Sequence, residues 1–237
     1  MLGNYVNALA IIIGCLAGLL VRKGLKEEHK QIIIQAIGLS VLFVGAATAL
    51  GGLLDPNAEP ILFIISLVIG GIAGELVGVE KGLEKFGLFL QKKVGGGENT
   101  IAKGFVTATL IFCVGTMAII GSLESGLRAN HDILFAKSIL DGGISIILAS
   151  TMGIGVIFSA GAVFIYQGAI VLFAGIMEPV LTAAVIREIS IIGGILIFGI
   201  GLNLLEIVKI KTGNLLPAVL VPVIYYSLII PLFRLPG

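Results

Sequence analysis

Residues Phe112–Ser145 read FCVGTMAIIGSLESGLRANHDILFAKSILDGGIS, and the rest of the chain is arranged around what this stretch must do. It leaves an apolar segment, passes through the polar residues Glu124–Lys137, and re-enters an apolar run carrying an acid, Asp141, four residues after Lys137. From Ser138 to Met177, Asp141 is the only charge. A straight helix of that length would run about 60 Å, roughly twice the hydrocarbon thickness of a bilayer. The run must fold back, and Gly153, Gly155, Ser159 and Gly161 mark the break.

Composition agrees. The 237 residues are 57% hydrophobic and 12% charged, against about 25% charged in a soluble domain. Continuous apolar runs exclude a membrane barrel, whose short strands alternate, and in lipid only helices then satisfy the backbone. The fold class is therefore an all-α polytopic membrane protein. A net charge of +1 provides no basic face for nucleic acid. Cys15 and Cys113 lie inside apolar segments and read as reduced, packed thiols. No cation precedes the first apolar segment, and Arg22, Lys23 and Lys26 follow it. It is therefore read as a retained span, not a signal peptide.

About eight transmembrane helices are expected. The first three are Gly3–Val21, Ile32–Leu53 and Ile61–Val79, with a polar turn Arg22–Gln31 between the first two. Glu80–Val94 places Leu83, Phe86 and Leu90 on one side and charges on the other, as a helix lying in the interface does. Gly95–Asn99 reads as a hinge. The fourth span is Gly104–Leu123, the fifth ends near Phe158 and the sixth near Met177. Ile189–Leu205 is the seventh and Leu215–Leu232 the eighth, bent by Pro217 and Pro222. With both termini outside, the inner loops hold eleven of the fifteen lysines and arginines, leaving Arg128, Lys137, Arg187 and Arg234 outside, in line with the positive-inside rule.

A repeat underlies the order. Ile37–Leu50, IGLSVLFVGAATAL, and Ile192–Leu205, IGGILIFGIGLNLL, share Ile-Gly, a central Phe and a closing Leu at an offset of 155 residues. The same offset lays the first span over the sixth and the third over the eighth. Copies that start five spans apart are antiparallel. The expected organisation is an inverted pair of three-helix repeats: 1–94 with the interfacial helix, a central helix pair at 104–158, and 159–237. Inverted repeats occur in secondary transporters, with sites near the midplane.

An ionisable residue inside a membrane is a functional candidate, since it costs at least ~2.5 kcal/mol at a helix centre. Asp141 and Glu75 qualify. Thr109, Cys113 and Thr116 form a polar stripe at i, i+4 and i+7, Ser145 shares a face with Asp141, and Asn203, Gln167 and Asn7 are polar amides in apolar spans. Gly14 and Gly18 on the first span and Gly70, Gly74 and Gly78 on the third form stripes for close helix packing. His29 and His131 lie in loops, and HExxH, GxSxG and GxxxxGK[ST] are absent, so no enzyme, metal site or cofactor is expected.

MLGNYVNALAIIIGCLAGLL at the N-terminus, FCVGTMAIIGSLESGL at 112–127, and KSILDGGIS followed by STMGIGVIFS resemble the YqgA-like family of bacterial inner-membrane proteins, a domain of unknown function, along essentially the whole chain. The resemblance implies a bacterial cytoplasmic-membrane location and a transport role, and it assigns no residue. The expected function is a small transporter or ion-conducting protein, homo-oligomeric in the membrane, for a cation or a proton- or cation-coupled solute. Cations are favoured because no Lys or Arg is expected within the membrane. The alternative is a non-transporting membrane protein assembling through its Gly faces.

Overall fold

The computed structural model describes residues 1–22, 24–94, 100–113 and 115–230, with backbone alone at 90, 91, 93, 94 and 100. The described residues form helices and turns, with no strand among them. In order come α1 (Leu2–Arg22), α2 (Glu27–Leu53), α3 (Pro60–Val77), α4 (Val79–Val94), α5 (Thr100–Cys113), α6 (Thr116–Leu127) and α7 (Asp132–Met152). A 3₁₀ segment, Gly153–Phe158, leads to α8 (Ser159–Leu172), the single turn α9 (Ala174–Met177) and α10 (Ala183–Leu204). The chain then continues as a 3₁₀ segment Thr212–Leu220, a turn α11 (Val221–Ile224) and a π-helical turn Tyr225–Ile229. Six described helical runs are long and apolar enough to cross a bilayer, counting Asp132–Leu172 as one, and the bent pair α5–α6 makes a seventh. Large apolar side chains such as Phe43, Ile61 and Leu76 point outward, 69%, 72% and 83% exposed, which suits lipid contact.

Several boundaries differ from expectation for local reasons. The second helix begins at Glu27, inside the expected polar turn, because Glu27 and Glu28 occupy its first turn, where the helix dipole favours acids. Gly78 does not extend the packing stripe of α3. It caps the helix in the left-handed region, φ 72°, which glycine adopts without a Cβ penalty. The expected fourth span is broken, with α5 and α6 meeting at 62°. The last span is irregular around Pro217 and Pro222, whose missing N–H groups cannot continue an α-helical ladder. The expected hinge Gly95–Asn99, with Lys23, Arg234 and the end of the eighth span, lies outside the described residues.

The long apolar run does fold back. Asp141 and Gln167 lie within 3.2 Å of one nitrogen, Asn7 Nδ2, whereas a straight helix would hold them about 39 Å apart. The reversal comes at Gly153, φ 78°. Arg22 stabilises it by donating to the Thr151 carbonyl at 2.8 Å, at the negative end of α7.

Glycine sets the helix pairs. Gly14 and Gly18 lie against the Gly142 and Ile146 carbonyls, while Gly3 meets Leu134, so α1 runs parallel to α7. Gly38 meets Leu205, Gly45 meets Phe198, Gly194 meets Ala49 and Gly52 meets Ile191, an antiparallel α2–α10 pair in unbroken register. Gly70 on Ala218 and Gly74 on Asn214 make α3 antiparallel to the 212–220 segment. A side chain at these glycines would push the backbones apart, and close backbone approach is what binds helices where lipid removes the hydrophobic drive. Because α8 returns against α7, α1 and α8 are antiparallel as well. Each first-copy helix therefore lies antiparallel to the stretch 155 residues ahead of it.

Candidate functional site

Three sequence-predicted residues meet on the α1–α7–α8 side. Asn7 Nδ2 donates to Asp141 Oδ2 at 3.1 Å and to Gln167 Oε1 at 3.2 Å, and all three residues are buried. They can meet because Gly14 and Gly18 let α1 lie directly on α7. Lys137 completes the cluster. It donates to Asp141 Oδ2 from one helical turn earlier, and both side chains are only 7% exposed.

This corrects two expectations. Lys137 is not on the outer loop, because α7 starts at Asp132, and a candidate span does hold a buried cation. An i, i+4 pair on one helix brings opposite charges together, and pairing offsets much of the cost of taking each from water. Lys137 Nζ also lies 5.9 Å from the Phe112 ring centre, within cation–π range. Phe112 lies one residue before the end of α5. The cluster therefore abuts the bend between α5 and α6.

Some hydrogen-bonding capacity in this region is unused. Asn7 Oδ1, Gln167 Nε2, Ser145 Oγ and Thr109 Oγ1 are buried without a hydrogen-bond partner among the described residues. Ser145 lies one turn beyond Asp141, where α7 meets Gly14. Such a site combines a neutralised charge pair with free donors and acceptors, suited to a small polar species or a proton.

The other candidates lie elsewhere. Glu75 reaches the end of the bundle holding Arg22 and takes two bonds from Lys211 Nζ, at 2.8 and 2.9 Å, and one from Asn214 at 2.6 Å. Its side chain is 50% exposed. Asn203 brackets the turn after α10, bonding both the carbonyl and the N–H of Ile210. Thr109 and Cys113 do not form one line with Thr116, since Thr116 begins α6 beyond the bend.

Two clefts flank α5–α6 on its α2–α10 side. The one on the expected outer side, about 900 Å³, is lined by Thr48 and Gly52 of α2, Thr116, Ile120 and Glu124 of α6, and Ile186, Arg187 and Ser190 of α10. The one on the expected inner side, about 1120 Å³, is lined by Glu80 and Glu84 of α4, Lys103 and Thr107 of α5, Asn203 of α10, and Lys209 and Lys211. No residue of α1, α7 or α8 lines either cleft. Burial lifts the Glu80 carboxyl above the ordinary glutamate range, opposed by the Gly213 N–H that it accepts at 3.2 Å. Thr48 and Asn203, counterparts under the repeat offset, line opposite clefts.

Sequence reasoning missed Lys137 and Glu188. Glu188 is fully buried near the start of α10. Its Oε1 accepts the Glu59 N–H at 3.1 Å and faces Arg187 Nε at 3.5 Å, while Oε2 has no hydrogen-bond partner among the described residues. Tyr226 donates to Glu59 at 3.0 Å, and Arg187 bonds the Asn57 carbonyl at 2.5 Å. The available signals were the i, i+4 spacing of Lys137 and Asp141 and the Arg187–Glu188 dipeptide heading an apolar run.

No solved structure matches the chain. It is 40% identical over 222 residues, 94% of each chain, to the uncharacterized membrane protein YdfK of Bacillus subtilis (strain 168). It is 26% identical over 225 residues, 93% of this chain and 94% of the other, to the uncharacterized protein YqgA of Escherichia coli (strain K12). The family model described as a protein of unknown function, DUF554, matches residues 2–227, and the chain belongs to that family of membrane proteins.

Proposed function

We propose that the chain is a small transporter or ion-conducting protein that moves a proton, a cation or a solute coupled to one of them. The observation that carries this reading is the pair of clefts at opposite ends of one bent span, α5–α6, with α10 lining both. The antiparallel pairing of α2 with α10 and α3 with 212–220 supports it, since inverted repeats suit alternate opening of two faces around a fixed centre. The Lys137–Asp141 pair lies behind the bend, so a change in its charge or hydration acts on the hinge between the clefts. Burial of Lys137 removes the argument that an anion would lack an embedded partner, so the coupled solute need not be cationic. In this reading the chain crosses a bacterial inner membrane eight times, with its N-terminus outside and the cation-rich end in the cytoplasm, and it works as a homo-oligomer. Gly70 and Gly74 pack within the chain, so another face would have to join the copies.

The test is flux. Full chain in phospholipid vesicles should dissipate an imposed proton, Na⁺ or K⁺ gradient faster than empty vesicles, and Asp141→Asn should abolish the difference while keeping its elution profile. Vesicles indistinguishable from empty ones for all three ions, with Thr116→Cys and Thr107→Cys both unreachable by aqueous thiol reagents, would overturn the reading.

A further inference from the structure

The amphipathic helix α4 has a place in the fold that none of the foregoing uses. It begins one residue after Gly78, the cap of α3, and α5 starts at Thr100. Both ends are thus tied to span termini, which keeps the helix at the bilayer boundary. Its faces divide cleanly. Gly87 packs on Ala102, and the Phe86 ring lies 5.4 Å from that of Phe105. Glu80, Glu84 and Leu88, at i, i+4 and i+8, line the inner cleft. Lys81, Lys85 and Lys92, four and seven residues apart, fall on a third stripe between the cleft face and Phe89. All three lysines are exposed, and none is in an ion pair among the described residues. Phe86 and Phe89 remain 49% and 52% exposed.

We propose that α4 is a lipid-responsive lever: Lys81, Lys85 and Lys92 bind the headgroup phosphates of anionic phospholipids and so hold the inner cleft open. A cationic stripe beside apolar rings matches a headgroup beside its acyl chains. Each lysine near an anionic surface contributes roughly fivefold to binding. The closing force is on the opposite wall. Glu80 already feels the Lys211 charge and accepts the Gly213 N–H, so without lipid the acids of α4 draw the helix toward Lys209 and Lys211. The inference uses the cleft but not transport, so the absence of flux would leave it standing.

The experiment places Leu88→Cys in the full chain, in nanodiscs of phosphatidylcholine with or without phosphatidylglycerol, and measures its labelling by an aqueous thiol reagent. The parent chain, whose Cys15 is buried and Cys113 partly so, sets the background. Labelling should be several-fold faster with phosphatidylglycerol, and high salt should erase the difference. Adding Lys81→Gln, Lys85→Gln and Lys92→Gln should make the two lipids equivalent. Equal labelling of Leu88→Cys in both lipids would overturn the inference, as would a lipid response retained by the triple variant or unaffected by salt. So would inorganic phosphate reproducing the response in phosphatidylcholine alone, which would make the ligand a free anion.

Discussion

The α1–α7 and α2–α10 pairs are built alike and do different things. Both press glycine onto a neighbouring backbone, Gly14 on Gly142 in one and Gly45 on Phe198 in the other. The first pair is parallel and encloses charge and amide groups, Lys137, Asp141 and Asn7. The second is antiparallel, presents Ile37, Val41, Ile197 and Ile200 to an apolar core that Ile11, Cys15 and Leu148 of the first pair share, and has polar groups mainly where it meets the clefts. The contrast teaches that close packing does not select chemistry. It fixes a distance, and the residues one turn from the glycines decide whether that distance holds a charge pair or an apolar seal between two openings.

Breaking the first pair should have the largest effect. Lys137→Met leaves Asp141 buried without its cation, and removing one member of a buried pair typically costs ~3–5 kcal/mol. Thermal unfolding in detergent should show that loss, and adding Asp141→Leu should recover most of it. A single variant as stable as the parent would mean that the charges are hydrated, not buried.

Breaking the second pair should cost less. Gly45→Leu drives a side chain into the Gly194–Phe198 backbone, an overpacking penalty of ~1–3 kcal/mol, with no change in Asp141-dependent behaviour. Unchanged melting would show that α2 can slide away from α10, and the two pairs would then differ in rigidity as well as chemistry.

Glu75 sharpens the contrast between buried and exposed acids. Its bonds to Lys211 lie at a half-exposed site, where ion pairs are worth ~0–1 kcal/mol. Glu75→Gln should therefore leave the melting temperature nearly unchanged. A loss approaching that of Lys137→Met would place Glu75 deeper than its 50% exposure indicates.

The smallest effect is electrostatic and lies in the α2–α3 turn. The Asn57 N–H beside Asp55 holds its carboxyl below the usual aspartate range, with Arg187 adding to this. A depressed acid stabilises the fold above its unfolded pKa, about 3.9, and that contribution disappears as pH falls through the lower folded value. Asp55→Asn should flatten the acid limb of melting temperature against pH and leave the neutral region alone. An unchanged acid limb would show that the turn does not report on the α10 end.

Much of the fold was legible because membrane length is a hard constraint. The run from Ser138 to Met177 is too long for one crossing, and the reversal at Gly153 falls where glycines allowed it. The cluster was half legible. Asn7, Asp141 and Gln167 stood out as polar residues in apolar runs, but membrane edges read from charge placed Lys137 in a loop, since a lysine looks like a boundary until its partner is counted. Glu188 was hidden likewise behind Arg187. The α5–α6 break left only Gly115 as a sign, one glycine among 34, and nothing local distinguishes a bend from close packing. Glu75 and Asn203 looked embedded because sequence cannot show a side chain reaching sideways to Lys211 or closing its own turn.

The i, i+4 placement of Lys137 and Asp141 has a consequence for how the protein is made. Most embedded charges wait for another helix to neutralise them, so each must tolerate a period unpaired. Here both charges lie on successive turns of α7, and the pair closes as soon as that helix winds, before α1 or α8 has docked. Alpha7 can leave the insertion machinery for lipid already electrically silent, and the later arrival of Asn7 and Gln167 then orients a dipole and need not rescue a bare ion.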